Sequence, residues 1–390
     1  MSRTGNYLRT LTGSRFFNQN LSELIIFVTN KCNLNCEHCF YASEIKRPNS
    51  REEAIDLGDY KKIAQSLKKP LVNLILTGGE PFLEKNIVEI IKIFNDFNKT
   101  RQITIPTNGF ATELVINKIK EILTFFKGNL HIQISLDGIG LEHDEIRRVA
   151  NTFERAVKTI QDLRELSLNR KNLTIGVNTT ISSRNYQSIE DLSNYIDDKL
   201  LVSQNFELIR GTDFLEGVEN KDVLSNFRPD DVNLLVPDDG QINKIINKLN
   251  YIFYFNSRNA KDIKALLKPL FFAAKITVFH FYRKILKNKK PINHLCKAGK
   301  KTGVIYPNGD FAVCELTKTI VNLQEYNFDL YKIWNDKKIR DFTKKLDCYC
   351  THGCFVSQSF IYDFKMDLRF ISEVFRYFYL KLRYGNKGRK

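Results

Sequence analysis

Three thiols fall inside one short loop, Cys32-Asn33-Leu34-Asn35-Cys36-Glu37-His38-Cys39, directly after the apolar run Leu24-Ile25-Ile26-Phe27-Val28. A [4Fe–4S] cluster is normally held by four thiolates, so a loop offering three leaves one iron open to another ligand. A structural zinc site is the simpler alternative, but such sites favour paired ligands and close all four tetrahedral positions. The spacing therefore points to an iron–sulfur centre with an exchangeable position. A second set, Cys296, Cys314, Cys348, Cys350 and Cys354, lies far along the chain. In a chain without a secretion signal, cysteines read as metal ligands before disulfides.

Such a loop needs rigid elements to position it. Apolar segments near 23–29, 72–77, 102–107, 130–136, 173–180 and 205–209 read as strands, with helical patterns between most of them. In Glu84–Phe97, for example, apolar residues recur at i, i+3, i+4 and i+7, giving one buried helical face. Strand-then-helix units in series imply a parallel sheet, and continuous apolar strands such as Leu74-Ile75-Leu76 fit a sheet covered on both faces. In these sheets chemistry gathers at the carboxyl ends of strands. There the first strand runs into the cysteine loop, the second into Thr77-Gly78-Gly79-Glu80-Pro81, the third into Thr107-Asn108-Gly109 and the fourth into Ser135-Leu136-Asp137-Gly138. Gly78 and Gly79 would let backbone approach a ligand, and Glu80 would accept from a cationic group. At the end of the sixth strand Arg210 could face an anionic substrate group or form a plain ion pair. Residues 212–250, broken by Pro229, Pro237 and Gly240, read as a linker with short helices.

The Cys-x3-Cys-x2-Cys spacing resembles the cluster loop of the radical S-adenosylmethionine (radical SAM) superfamily, and the similarity extends from about Leu24 to Gly211. The resemblance implies an α/β fold, a partial (β/α)6 TIM-like barrel, with Cys32, Cys36 and Cys39 holding a [4Fe–4S] cluster. It implies that Gly78, Gly79 and Glu80 meet the amino group of S-adenosylmethionine (SAM), and that Ser135 and Arg147 engage its carboxylate and ribose. By the same resemblance Asn178 could reach the ribose, a capping role being the alternative, and the backbone at His38 approaches the adenine. The second cysteine set resembles the auxiliary-cluster domains called SPASM or twitch. Asn308-Gly309 marks a hairpin between Cys296 and Cys314. Full SPASM domains have more cysteines than are present here. One auxiliary [4Fe–4S] cluster is therefore expected, on Cys296, Cys314, Cys354 and Cys350, with Cys348 competing for the fourth place and a zinc knuckle as the alternative. The implied reaction is reductive cleavage of SAM to a 5′-deoxyadenosyl radical that abstracts hydrogen from a substrate, with an electron donor such as flavodoxin or ferredoxin. The auxiliary cluster would accept an electron from the substrate in an oxidation or cross-link.

Length and charge bound the rest. At 390 residues the chain exceeds one ordinary core, and 43% hydrophobic content supports globular packing. The organisation expected is an arm (1–22), the radical SAM core (23–215), a linker with a basic aromatic segment (216–290), a small cluster domain containing the hairpin (291–360) and a basic amphipathic tail (361–390). The net charge of +16 is concentrated: 255–301 carries +12 and 365–390 carries +6, leaving the remainder near −2. An anionic partner would meet the second half of the chain. No stretch of eighteen apolar residues and no signal-like N-terminus is present, which implies a cytoplasmic protein. Leu266–Leu286 and Phe370–Tyr384 are dense in aromatics and flanked by basic residues, as in interfacial helices, which raises a peripheral membrane surface as partner. A core helix under a basic solvated face is the alternative for each. These segments favour a lipid-linked or glycan substrate, whereas the short arm before the core leaves little room for the leader-binding domain of a peptide maturase. A zinc-stabilised nucleic-acid-binding protein would explain the lysines and the second cysteine set, but not the first loop or Gly78-Gly79-Glu80-Pro81. Nucleic acid is accordingly not an expected partner.

Overall fold

A computed structural model describes residues 20–45, 55–210, 235–259, 267–288, 298–346, 351 and 368–384. Its strands are β1 (Glu23–Thr29), β2 (Asn73–Gly78), β3 (Gln102–Thr107), β4 (Asn129–Ser135), β5 (Leu173–Ile181), β6 (Ser203–Leu208), β7 (Thr302–Ile305), β8 (Asp310–Ala312) and β9 (Val321–Asn322). The helices used below are α1 (Ala42–Ile45), α2 (Leu57–Ser66), α3 (Ile87–Ile93), α4 (Thr112–Phe125), α5 (Leu141–Arg147), α6 (Thr152–Leu168), α7 (Ile189–Tyr195), α8 (Asp239–Asn259), α9 (Lys268–Asn288), α10 (Leu330–Asn335), α11 (Lys337–Lys344) and α12 (Leu368–Tyr384).

The strands form one open sheet in the order β6-β5-β4-β3-β2-β1-β7-β8-β9, with β1 to β6 all parallel to their neighbours. The six strands expected from the sequence are these six. Alternation along them divides the molecule. In β4, Leu130, Ile132 and Ile134 are fully buried toward the helical layer, while His131, Gln133 and Ser135 point to the opposite face. In β3, Ile103 and Ile105 are buried and Thr104 and Pro106 take the inner face in the same way. The sheet is thus apolar outside and polar inside, the arrangement that leaves a lined cavity.

β1 is buried on both sides: Leu24, Ile26 and Val28 join the main core, while Ile25 and Phe27 join a smaller cluster with Tyr41, Tyr306 and Cys314. The expected hairpin is present, with Gly309 at φ 85° in the turn and antiparallel pairing of β7 and β8. It is not a separate sheet. β7 pairs in parallel with β1, Glu23 opposite Thr302 through Ile26 opposite Ile305, so the hairpin extends the main sheet.

The expected helix at 84–97 is α3, continued by a wider turn over Phe94–Asn98 and stopped by Lys99 at φ 60°. A larger difference lies at 212–250. From Asp239 the expected linker with short helices is instead one long helix, α8, whose Ile242, Ile245, Ile246, Leu249, Ile252 and Phe253 are buried in a second apolar cluster with α9 and α12. Their i, i+3, i+4, i+7 spacing is helical, and the interleaved Asn and Lys residues mask it in a composition-based reading.

Candidate active site

The cysteine loop leaves β1 at Thr29 and returns to the core at Tyr41. Its position is fixed by backbone and side-chain contacts from three other elements. The end of α5 accepts from it, Asn35 N–H to Arg147 O at 3.4 Å and Glu37 N–H to Ile146 O at 3.0 Å. Asn108, after β3, donates through Nδ2 to Asn33 Oδ1 at 2.8 Å. The loop after β2 donates to it, Gly79 N–H to Thr29 O at 2.8 Å and Glu80 N–H to Lys31 O at 2.7 Å. This last contact explains the glycines. A Cβ at Gly79 would lie 2.1 Å from Lys31 O, and Gly78 sits at φ +133° with its Cβ position 2.3 Å from Thr29 O. The close approach they permit is therefore to the cysteine loop's own backbone, which holds Glu80 beside the thiols.

Glu80 is 2% exposed. Its Oε1 accepts from Thr107 Oγ1 at 2.8 Å and Phe82 N–H at 3.2 Å, and its Oε2 accepts from Asn108 N–H at 2.8 Å. Burial pushes its pKa up to about 7, against the lowering by these hydrogen bonds. Burial likewise raises the thiols of Cys32 to about 11 and Cys39 to about 12, so a cation that takes them as thiolates must displace protons.

Beneath the loop lies a buried charge network. Arg147 Nη2 meets Asp137 Oδ2 at 2.5 Å and Nη1 donates to Cys36 Sγ at 3.5 Å. Its Nε is buried with no hydrogen-bond partner among the described residues. Burial, the largest single influence, would raise the Asp137 carboxyl, but the Arg147 guanidinium together with the other groups around it, the Thr180 N–H among them, outweighs it and holds the group below its ordinary range. Asp137 is further fixed by Thr180 N–H to Oδ1 at 2.8 Å and by Asn185 Nδ2 to its carbonyl at 2.8 Å. His143, one turn before Arg147, accepts from Asp137 N–H through Nδ1 at 3.0 Å, so its proton sits on Nε2. Burial pushes His143 down to about 3 and His38 to about 4, leaving both neutral near pH 7. The 3.7 Å approach of His38 Nε2 to Asp137 is accordingly not an ion pair at that pH.

These groups open onto a cavity of about 260 Å³ lined by Cys32, Cys36, Cys39, Glu80, Ser135, Arg147 and Asn178, together with inner-face residues of β1 to β6. Asn178 pairs in register with Ser135, and its Oδ1 accepts from Gln133 Nε2 at 3.4 Å and Asn205 Nδ2 at 2.9 Å. It belongs to a cross-strand amide row rather than to a cap. The far wall carries Glu207, Arg210 and Glu315. Arg210 Nη1 donates to Glu315 Oε2 at 2.7 Å and its guanidinium lies 4.5 Å from the Phe40 ring centroid, so of the two roles open to Arg210 the structure shows the ion pair. Cys314 adjoins Glu315 in sequence and is buried in the same small cluster that receives Cys39, Phe40 and Tyr41. Cys296, Cys348, Cys350 and Cys354 lie outside the described residues.

Sequence reasoning missed the roles of Asp137, His143 and Asn185. A signal existed for two of them: His143 and Arg147 are four apart on one helix and share a face, and Asp137 lies two residues beyond the end of β4.

Residues 26–196 match the family model for the radical SAM superfamily. This stretch is a radical SAM domain. Its relatives include a pre-heme d1 synthase of Dinoroseobacter shibae, 29% identical over 179 residues that cover 44% of this chain and 39% of that protein. The antilisterial bacteriocin subtilosin biosynthesis protein AlbA of Bacillus subtilis is 26% identical over 199 residues, covering 50% of this chain and 41% of AlbA. The chain thus spans less than half the length of these two relatives. Among solved structures, anSMEcpe with bound AdoMet superposes with a TM-score of 0.58 at 16% identity, covering 93% of this chain and 98% of that one, which supports the partial-barrel fold.

The donor set of the radical SAM domain fits an iron–sulfur cluster. Among the described residues no three His, Cys, Asp or Glu side chains converge on a single-ion site. A multi-iron cluster gives each thiolate its own metal and does not require such convergence, and the loop supplies three thiols facing one cavity.

Proposed function

We propose that this chain is a radical SAM enzyme in which Cys32, Cys36 and Cys39 hold a [4Fe–4S] cluster and SAM occupies the adjoining cavity. The observation that carries this reading is the convergence of three thiols, Glu80, Ser135 and Arg147 on one cavity at the carboxyl ends of the strands. When bound, the cluster and SAM supply a radical able to take a hydrogen atom from an unactivated carbon. The chain's own residues bind, orient and enclose. Glu80 offers a buried carboxylate to an amino group, Ser135 and Asn178 offer polar contacts along one wall, and Arg147, held by Asp137, offers its Nε toward a carboxylate. His38 contributes through its backbone position beside the adenine. An electron donor such as flavodoxin or ferredoxin would supply the reducing electron.

Cys314 supports a second centre near the first, because it shares a packed cluster with Cys39. Cys296, Cys354 and Cys350, or Cys348 in its place, would complete an auxiliary [4Fe–4S] cluster that takes an electron from the substrate radical, giving oxidation or cross-linking. Glu207 and Glu315 set two carboxylates against the Arg210 guanidinium on the cavity's far wall, which favours a substrate presenting hydroxyl or ammonium donors. A glycan or lipid-linked substrate suits such a wall. AlbA is named for bacteriocin biosynthesis, and a peptide substrate is the corresponding alternative.

Anaerobic reconstitution tests the reading. The expected result is a brown protein with about eight iron per chain, at four per cluster. Replacing Cys32, Cys36 and Cys39 with Ala should remove about half the iron and all SAM cleavage. Colourless protein carrying only zinc would exclude the proposal.

A further inference from the structure

Helix α12 has two apolar faces, and among the described residues only one is buried. The inner face carries Glu373, Tyr377 and Leu380, packed on α9 through the Phe272 and Tyr377 rings at 5.6 Å and through His280 Nε2 to Glu373 Oε1 at 3.1 Å. On the other side Leu368 is 82% exposed, Phe375 70% and Leu382 89%, and Ile371, Phe378 and Tyr379 are exposed between them. At about 100° per residue, these six fall within one arc of roughly 100° opposite the buried residues. Arg369, Arg376 and Arg383, seven residues apart and all exposed, form a row along one flank, and Lys381 lies on the other. The helix has a single acidic residue, Glu373, and it is buried.

An apolar stripe edged by cations, with no exposed anion, has a specific complement: acyl chains beneath a layer of anionic head groups. The surrounding charge agrees. The segments 255–301 and 365–390 carry +12 and +6, while the remainder of the chain is near −2. Among the described residues no helix is long and apolar enough to cross a membrane, so the contact is one of lying on the surface.

We infer that the outer face of α12 docks the protein on an anionic bilayer surface. This rests on α12 and its charge row and is independent of the chemistry assigned to the cavity. The same reasoning separates the two aromatic segments of the sequence. In α9, Phe272, Ile276, Phe279, Phe281, Tyr282 and Ile285 are buried and, of its large apolar residues, only Leu270 and Phe271 at its first turn are exposed, so most of its aromatics serve the core, and the continuous exposed stripe is that of α12.

The test is co-sedimentation of the full chain with vesicles of phosphatidylcholine alone and of phosphatidylcholine mixed with phosphatidylglycerol. Binding is expected to the anionic vesicles and to weaken with added salt. Arg369→Ala with Arg376→Ala and Arg383→Ala should weaken it by about a hundredfold, and Phe375→Glu with Leu382→Glu should abolish it. Far-UV circular dichroism and iron content should match the parent in both variants, so loss of the cavity's chemistry would register separately from loss of docking. Failure to bind anionic vesicles, equal binding to both vesicle types, or a dimer in solution that Phe375→Glu dissociates while vesicle binding is absent would overturn the inference.

Discussion

Two regions of this protein use arginine in opposite ways. At the cavity, Arg147 and Arg210 are each answered by a carboxylate from another element, Asp137 at 2.5 Å and Glu315 at 2.7 Å, and both pairs are largely shielded from water. On α12, Arg369, Arg376 and Arg383 stand exposed in a row, and among the described residues the polar contacts of the last two stay within the helix, Arg376 to Glu373 at 3.9 Å and Arg383 to Tyr379 Oη at 3.4 Å. A buried cation without a partner is costly, so the first kind is a positioning device that fixes loops around the cavity. An exposed row costs little in the folded state and keeps its charge at the surface. The charge that dominates the composition is therefore not the charge that builds the site.

The contrast can be broken at several points. Asp137→Ala leaves Arg147 buried and uncompensated and should cost about 3–5 kcal/mol of stability, measured by urea denaturation. Arg383→Ala on α12 should change the same measurement by less than about 0.5 kcal/mol. Equal losses would erase the distinction. Leu249→Ala, in the core shared by α8, α9 and α12, should cost about 2–5 kcal/mol; a negligible loss would mean that this helical cluster is not a packed core. Gly79→Ala drives a Cβ to within 2.1 Å of Lys31 O, and the backbone shift this forces should cost about 1–3 kcal/mol and displace the cysteine loop. Iron retention after reconstitution reads out the displacement.

The smallest effect is one of pH. Because burial raises Glu80 from 4.5 to about 7, the folded state prefers its protonated form. That preference stabilises the iron-free protein fully below pH 4.5 and is lost as pH rises through about 7. Glu80→Gln should flatten this part of the stability–pH curve, and an unchanged slope would assign it to other groups.

The strands and the cysteine loop were legible in the sequence because each is written locally: an apolar run, a glycine pair or a thiol spacing declares itself within a few residues. α8 was not, since its buried Ile and Leu positions are separated by Asn and Lys that composition reads as linker. The docking of β7 on β1 joins residues nearly three hundred positions apart, and no local pattern encodes that register. At the site, Glu80 and Arg147 could be named from motif position, but not their partners. That Arg147 is oriented by Asp137, and that Gly79 serves the cysteine loop rather than a ligand directly, depends on packing between elements that only the fold brings together.

The central claim is that the three-thiol loop carries a cluster with an open position facing a SAM-binding cavity. The most direct measurement is the electron paramagnetic resonance spectrum of the reduced, iron-reconstituted protein with and without SAM. The account predicts that SAM alters the spectrum of the parent protein. It also predicts that the altered component is absent when Cys32, Cys36 and Cys39 are replaced by Ala. A spectrum indifferent to SAM in the fully reconstituted parent, or a SAM response that survives loss of the three thiols, would contradict it.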